Sequence, residues 1–216
     1  NATAATSQVD GGGDFNGTSA LISTSDIAAI DSQGAISFSA WVKTDSTAGD
    51  KSITGKWDGT FGHFFQTGGS TYGGGDDIAF GLDGNKFVYT TGNFISTGVW
   101  IHIVATFDDA LPGAANEEYR VYINAISRSL TSFSGNPNDI NTTRASTATF
   151  EIGRLNSSLS RYWDGILDEV RVASVAHSAG WVATEYNNQR IPSGFYAIGK
   201  EESKTLTNPG LKVRGG

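Results

Sequence analysis

The chain has 216 residues, no cysteine and a formal net charge of −7. The missing cysteines exclude a disulfide framework, a thiolate metal site and a cysteine nucleophile. The negative charge disfavours nucleic acid as a partner, because an acidic surface repels phosphate backbones. No apolar stretch is long enough to insert into a membrane as a helix, so we expect any signal peptide or anchor to lie outside this sequence.

Short runs of alternating apolar and polar residues, separated by turn residues, follow one another along the chain. Residues 1–13 are small and polar and predict a lead-in, although an early strand could pair there. Two runs, 36–43 and 100–107, alternate most clearly, and Asp83-Gly84-Asn85 predicts a tight hairpin between two other runs. The remaining predicted strands are 52–56, 62–66, 78–82, 87–90, 119–124, 148–154 and 166–172.

Helical periodicity appears once, near the C-terminal end. Ser178 can cap a short helix that runs through Tyr186, and Pro192 prevents its extension. Many short strands with one short helix predict an all-β sandwich or barrel. Residues 200–216 differ in composition and predict a tail or linker, or alternatively an extended segment that pairs with the sheet edge of a neighbouring chain.

Six segments, taken in order, carry a family resemblance. They are Phe15-Asn16-Gly17, 37–43 (SFSAWVK), 98–108 (GVWIHIVATFD), 121–124 (VYIN), 152–154 (IGR) and 164–172 (DGILDEVRV). Together they resemble the laminin G-like domains of the concanavalin A-like lectin/glucanase superfamily over about residues 14–196. This resemblance implies an antiparallel jelly-roll sandwich of two sheets, and in many members sugar binds on the concave face or its rim loops. We therefore expect a lead-in at 1–13, the domain at 14–199 and a tail at 200–216.

The acidic residues do not form the pattern used by the glucanases of this fold. Those enzymes carry Glu-x-Asp-x-x-Glu on one strand, which aligns the carboxylates on one face for acid and nucleophile chemistry. Here Glu117-Glu118 and Asp168-Glu169 are adjacent pairs that would face opposite ways, and Glu151 stands alone. The three histidines lie in no metal-ligand spacing, and no Gly-x-Ser-x-Gly elbow is present. We therefore expect a domain that is not an enzyme.

A carbohydrate site needs flat aromatic surfaces for C–H faces together with polar partners for hydroxyls. Trp57 lies beside a turn next to Asp58, and Trp163 lies in a similar setting next to Asp164. The alternative is that these aromatic rings only close the ends of the sandwich. The predicted carbohydrate-binding residues are Trp57, Asp58, Tyr72, Arg154, Asn156 and Trp163.

Asp168 is unusual because strand alternation groups it with apolar Ile166, Val170 and Val172. A carboxylate on an apolar face must be hydrogen-bonded, paired or metal-bound. The resemblance implies that this region meets the N-terminal loop, often around a structural Ca²⁺, whose ligands are oxygens. The alternative is that backbone N–H groups or the surroundings of Arg171 satisfy it. The predicted metal ligands are Asp14, Asn16, Gly17 and Asp168.

These observations favour a non-catalytic, lectin-like recognition module that binds a glycan or polysaccharide. We expect it to be extracellular or at the cell surface, as part of a surface or secreted protein. The alternative is a structural or adhesion subunit of an extracellular assembly, filament or virion. In that case the terminal segments would contact other protein subunits.

Overall fold

The computed structural model describes residues 1–60, 62–68, 77–83, 86–111, 118–133, 141–155 and 160–191. Within these ranges the chain is mostly β-strand, with one 3₁₀ turn at Ala28–Ile30 and one α-helix. The elements are β1 Thr3–Ala5, β2 Gly12–Asn16, β3 Ile22–Thr24, β4 Ala35–Thr44, β5 Lys51–Trp57, β6 Gly62–Gly68, β7 Asp77–Asp83, β8 Lys86–Thr90, β9 Ile101–Asp108, β10 Tyr119–Ile123, β11 Ile126–Ser127, β12 Leu130–Ser132, β13 Phe150–Ile152, β14 Asp164–Ala173 and α1 Ala179–Arg190.

The strands form two sheets of seven strands each. Sheet 1 has the order β1-β2-β14-β4-β9-β10-β11, and sheet 2 has the order β12-β8-β7-β6-β5-β13-β3. Paired strands run antiparallel throughout the described residues. The predicted two-sheet jelly-roll sandwich is therefore confirmed. The predicted hairpin is also confirmed, because β7 and β8 pair with Asp83 opposite Lys86; Gly84 and Asn85 lie outside the described residues.

The main core lies between the two sheets. The alternation predicted for β4 is confirmed, since Phe38 and Ala40 are fully buried in this core. From sheet 2, Phe65 and Phe80 meet Phe38, with ring centroids 6.3 and 5.6 Å away. Burying side chains of this size contributes about 1.5–3 kcal/mol each, so the sealed double layer accounts for much of the stability.

A buried ion group lies on the inner side of sheet 2. The ammonium of Lys56 is fully buried and lies 2.6 Å from a carboxylate oxygen of Asp26 and 2.6 Å from one of Asp31. His63 is directly opposite Lys56 in the β5–β6 register and is also fully buried. Removing one partner of such a group leaves a buried charge uncompensated, so these residues constrain this part of the sandwich.

The helix α1 packs on the outer face of sheet 1. The hydroxyl of Ser178 accepts a hydrogen bond from the Trp181 N–H, as expected for the predicted cap. The helix ends at Arg190, two residues before Pro192. Val182 packs against Val104 of β9 in a small cluster of its own. Among the described residues, no helix has the length and apolarity that a membrane span requires.

The first thirteen residues contribute to sheet 1. β1 pairs with β2, with Thr3 opposite Asp14, and β2 pairs with β14. The early strand that the sequence left open as an alternative is therefore present in the predicted lead-in. The predicted tail, 200–216, lies outside the described residues.

Candidate functional site

An aromatic cluster lies on the outer face of sheet 2, the face that points away from sheet 1. Alternation directs Phe65, Phe80 and Val88 into the core, so their neighbours Phe64 and Phe87 point outward. Edge-to-face contacts continue outward from there, with centroids 5.2 Å apart for Phe64–Phe87 and 5.9 Å apart for Trp57–Phe64. The cluster also includes Ala79, Leu155 and Tyr89.

Two glycines make this cluster possible. A Cβ at Gly81 would lie 2.4 Å from the ring of Phe64, which is its cross-strand partner. A Cβ at Gly55 would lie 2.4 Å from a methyl group of Leu155. Larger residues at either position would force Phe64 or Leu155 away from the sheet. These glycines therefore let large apolar side chains lie directly against the strands.

The cluster presents part of its aromatic area to solvent. Trp57 and Tyr89 are half-buried. Phe133 is 45% exposed and stacks on Phe87, with centroids 4.5 Å apart and ring planes inclined by 16°. Indole, phenol and phenyl rings supported from below in this way are suited to contact the C–H face of a flat ligand.

Arg154 provides a fixed cation beside the cluster. Glu151 is opposite Gly55, so it shares the outer face with Trp57. Arg154 Nε donates to Glu151 Oε2 at 2.9 Å, and its Nη2 donates to Glu151 Oε1. Its Nη1 donates to the Tyr162 hydroxyl at 3.3 Å. The hydrogen bonds to Glu151 raise the pKa of Arg154 above its ordinary value. The guanidinium is therefore held in one plane beside the aromatic surface.

A second polar group lies on the same face. Arg161 donates to Gln66 Oε1 at 2.9 Å and lies 3.0 Å from an oxygen of Asp50. Gln66 is opposite Ser52 in the β5–β6 register. Both are fully buried, and Gln66 Nε2 and Ser52 Oγ have no hydrogen-bond partner within the described ranges. Buried polar atoms without partners are uncommon, so this part of the face has unused hydrogen-bonding capacity.

Three of the predicted carbohydrate residues lie at this face or its end. Trp57 lies two residues after Gly55 on β5, and Arg154 is hydrogen-bonded to Glu151, which is opposite Gly55. Asp58 is exposed just after β5, where its Oδ1 accepts the Thr60 N–H at 2.8 Å and closes a turn. Tyr72 and Asn156 lie outside the described residues.

Trp163 does not fit the predicted carbohydrate site. Its side chain is fully buried in the core between the sheets, so it offers no ring face to a ligand. The residues next to Trp163 in the sequence resemble those next to Trp57, so they did not indicate that Trp163 is buried and Trp57 is not. The sequence analysis also missed Tyr89, Phe133 and Tyr162. Alternation in 86–90 would have placed Tyr89 outward, because Val88 points inward.

The predicted grouping of Asp168 with Val172 on one face was wrong, because β14 contains a bulge just after Asp168. Asp168 is opposite Trp41, whereas the next paired residue is Arg171 opposite Ser39, and Glu169 between them has φ +52°. The extra residue reverses the alternation. Asp168 therefore shares the outer face of sheet 1 with Trp41, while Val172 turns towards the core.

The predicted metal ligands do not converge. Asn16 is opposite Asp164 at the start of β14, and its Oδ1 accepts three backbone N–H groups of its own loop. Gly17 follows it, and a Cβ there would lie 2.8 Å from the Asp164 carboxyl carbon. Asp14 is exposed opposite Ile166. Asp168 lies further along β14, so these residues are spread over the length of the strand pair.

Asp168 instead joins a different acidic group. Carboxylate oxygens of Asp10, Asp168 and Glu169 lie within 4.8 Å of one another. Asp168 Oδ2 also accepts the Val9 N–H at 2.9 Å, and Glu169 is paired with Arg171. Three carboxylates are a donor set that Ca²⁺ accepts. If a structural calcium ion binds this domain, these side chains fit it better than the predicted set.

The two antiparallel sheets, the covering helix and the aromatic outer face define a jelly-roll domain of the lectin-like kind. A laminin G-type family model described as the concanavalin A-like lectin/glucanases superfamily matches residues 16–183. The chain belongs to this superfamily. No curated protein sequence matches the chain.

Similar solved structures share the fold at low sequence identity. Domain 4 of AbnA, an extracellular arabinanase from Geobacillus stearothermophilus, in complex with arabinotriose, is 18% identical with a TM-score of 0.61, covering 85% of this chain and 80% of that one. A Bacteroides ovatus ATCC 8483 protein, described as a candidate carbohydrate binding protein, is 19% identical with a TM-score of 0.62, covering 80% of this chain and 45% of that one. The botulinum neurotoxin serotype G binding domain is 14% identical with a TM-score of 0.60, covering 83% and 43%. This chain thus spans less than half the length of the last two.

Proposed function

We propose that this domain is a non-catalytic carbohydrate-binding module that holds a neutral oligosaccharide on the outer face of sheet 2. One observation carries the proposal. The half-buried ring of Trp57 rests on Phe64, on the same sheet face as the guanidinium that Glu151 fixes. An apolar ring face beside a planar hydrogen-bond donor matches a sugar, which has a C–H face and a rim of hydroxyl groups.

The charges at this face favour a neutral ligand over an anionic one. Arg154 is paired with Glu151, and Arg161 is paired with Asp50. Each guanidinium is therefore compensated and acts through its remaining N–H groups rather than through net charge. Both guanidinium groups are suited to hydroxyls.

The non-catalytic part of the proposal is supported by the state of Glu151. Hydrolysis of a glycosidic bond by retention uses two carboxyl groups about 5 Å apart, with different proton occupancy. Glu151 is the acidic residue directly beside the aromatic cluster, and both of its oxygens accept hydrogen bonds from Arg154. Both oxygens are therefore occupied by Arg154, and Glu151 is poorly placed to act as acid or nucleophile.

Similar structures support the ligand class and the setting. The arabinanase domain with the same fold is described in complex with arabinotriose and as part of an extracellular enzyme. We propose that the present domain belongs to a secreted or surface protein and that it binds this protein to a polysaccharide.

Isothermal titration with arabinotriose and a panel of neutral oligosaccharides tests the proposal. We expect Trp57→Ala to weaken binding of the best ligand by about tenfold or more, because the stacking surface is lost. Trp57→Phe should retain most of the affinity. Val99→Ala is a control, since Val99 is exposed but outside this face. The proposal fails if no oligosaccharide binds, or if Trp57→Ala and Tyr89→Ala both bind as the wild type does.

A further inference from the structure

A groove on the opposite side of the molecule has features of a second ligand site. The helix α1 covers only part of the outer face of sheet 1 and leaves the neighbourhood of β14 open. One depression of about 390 Å³ lies between Ser39 on β4, Arg171 on β14 and Trp181 at the start of α1. A second depression, of about 240 Å³, continues along the helix past Thr184 and Asn188. Arg171 and Trp181 line both, so the two form one groove.

Trp181 provides an exposed aromatic surface in this groove. It is 38% exposed, and its indole stacks on the imidazole of His177, with centroids 3.5 Å apart and planes inclined by 6°. The backbone N–H of His177 donates to Ser37 Oγ at 2.9 Å. Ser37 Oγ in turn donates to the Val175 carbonyl at 2.6 Å. The loop is thereby tied to β4, and the indole is held in place before any ligand arrives.

The polar groups of the groove form hydrogen bonds without presenting net positive charge. Arg171 is half exposed, and its guanidinium is paired with Glu169 and with Glu185 at 2.6 Å. One cation against two carboxylates leaves this group net negative, which disfavours an anionic ligand. The exposed guanidinium edge, the Thr184 hydroxyl and the Asn188 amide still offer donors and acceptors to hydroxyl groups.

We infer that this groove is a second, independent binding site for a neutral saccharide, formed by Trp181, Arg171 and Asn188. The larger depression falls within the range of about 300–1,000 Å³ usual for small-molecule sites. Its preformed aromatic surface and compensated guanidinium repeat the chemistry of the outer face of sheet 2 with different residues. Two sites on opposite faces would let one domain bridge two glycan chains. This inference shares a ligand class with the proposed function but no residue.

Indole N–H signals of the ¹⁵N-labelled protein can observe each site separately, because the chain has five tryptophans. Trp→Phe variants assign the five signals. During titration with arabinotriose and the oligosaccharide panel, we expect the Trp181 signal to shift with its own concentration dependence. The Trp163 signal, buried between the sheets, should stay in place. The Trp181 shift should survive Trp57→Ala and be reduced at least several-fold by Asn188→Ala.

The outcomes separate this inference from the proposed function. If ligands shift the Trp57 signal and never that of Trp181, the second site does not exist and the proposed function stands. If only Trp181 responds, the groove binds and the sheet 2 site fails. If neither responds to any saccharide, both are wrong. Ile191→Ala, at an exposed apolar residue just after α1, is the control for Asn188→Ala and should bind as the wild type does. Thermal melting checks that every variant is folded.

Discussion

The indole N–H of Trp41 donates a 2.7 Å hydrogen bond to Oε1 of Gln189, joining β4 to a helix 148 residues further along the chain. The ring also stacks on that of Tyr186, with centroids 5.6 Å apart and planes inclined by 23°. Both Trp41 and Gln189 are buried. This contact explains why a tryptophan on the outward side of β4 is compatible with stability, since the helix covers it.

Gln189→Ala should destabilise the domain by about 1–3 kcal/mol, because it leaves the buried indole N–H without an acceptor. Urea unfolding measures the change. Asn187→Ala, on the exposed side of the same helix, is the control and should change stability by less than about 0.5 kcal/mol. Equal stability of Gln189→Ala and the wild type would show that this hydrogen bond does not stabilise helix packing.

Arg154→Lys should weaken oligosaccharide binding at the sheet 2 face by about tenfold while the domain stays folded. Lysine keeps the charge but cannot form the two parallel hydrogen bonds to Glu151, so the planar donor beside Trp57 is lost. Calorimetric titration gives the affinity, and thermal melting gives the stability. Arg144→Lys is the matched control, because Arg144 is also paired with a carboxylate, that of Asp83, and its side chain is 46% exposed. Unchanged affinity in Arg154→Lys would remove Arg154 from the site.

The domain should lose stability as the pH falls from about 6.5 to about 4, partly through His63. The pKa of His63 is lowered from 6.5 to about 4, chiefly by burial, while Asp31 opposes this decrease and Lys56 adds to it. Across this window the unfolded chain binds a proton at His63 and the folded chain does not, so acid favours unfolding. The full contribution is on the order of 3 kcal/mol.

Urea midpoints at pH 7 and pH 4.5 measure this dependence, and His63→Gln should reduce it. His177→Gln is the control, because His177 is only partly buried and should leave most of the dependence in place. If His63→Gln shows the same loss between pH 7 and pH 4.5 as the wild type, His63 is not responsible. The acid sensitivity would then come from the carboxylates.

Calcium should raise the melting temperature if the group of Asp10, Asp168 and Glu169 holds the ion, because an ion that binds only the folded state stabilises it. EDTA should reverse the increase. Asp168→Asn should abolish the response, whereas Asp14→Asn should retain it, since Asp14 lies apart from this group. A melting temperature that neither calcium nor EDTA changes would show that no calcium ion stabilises this group.

Strand alternation, turn residues and capping residues are local properties, and the sequence by itself determined what depends on them. These were the inward set of β4, the β7–β8 hairpin, the cap at Ser178 and the all-β class, whereas the two-sheet architecture was implied by the family resemblance. The sequence also predicted Trp57 and Arg154 as carbohydrate-binding residues, and this stays a prediction.

The tertiary structure alone decided which outward residues are covered. Trp57 and Trp163 have similar neighbours in sequence, yet one is half exposed and the other is sealed between the sheets. Burial depends on which distant segments pack against a residue, and no local pattern carries that information. The bulge at Glu169 was likewise absent from the local pattern. One extra residue reverses the alternation of the residues after it, so Val172 faces the core while Asp168 faces outward.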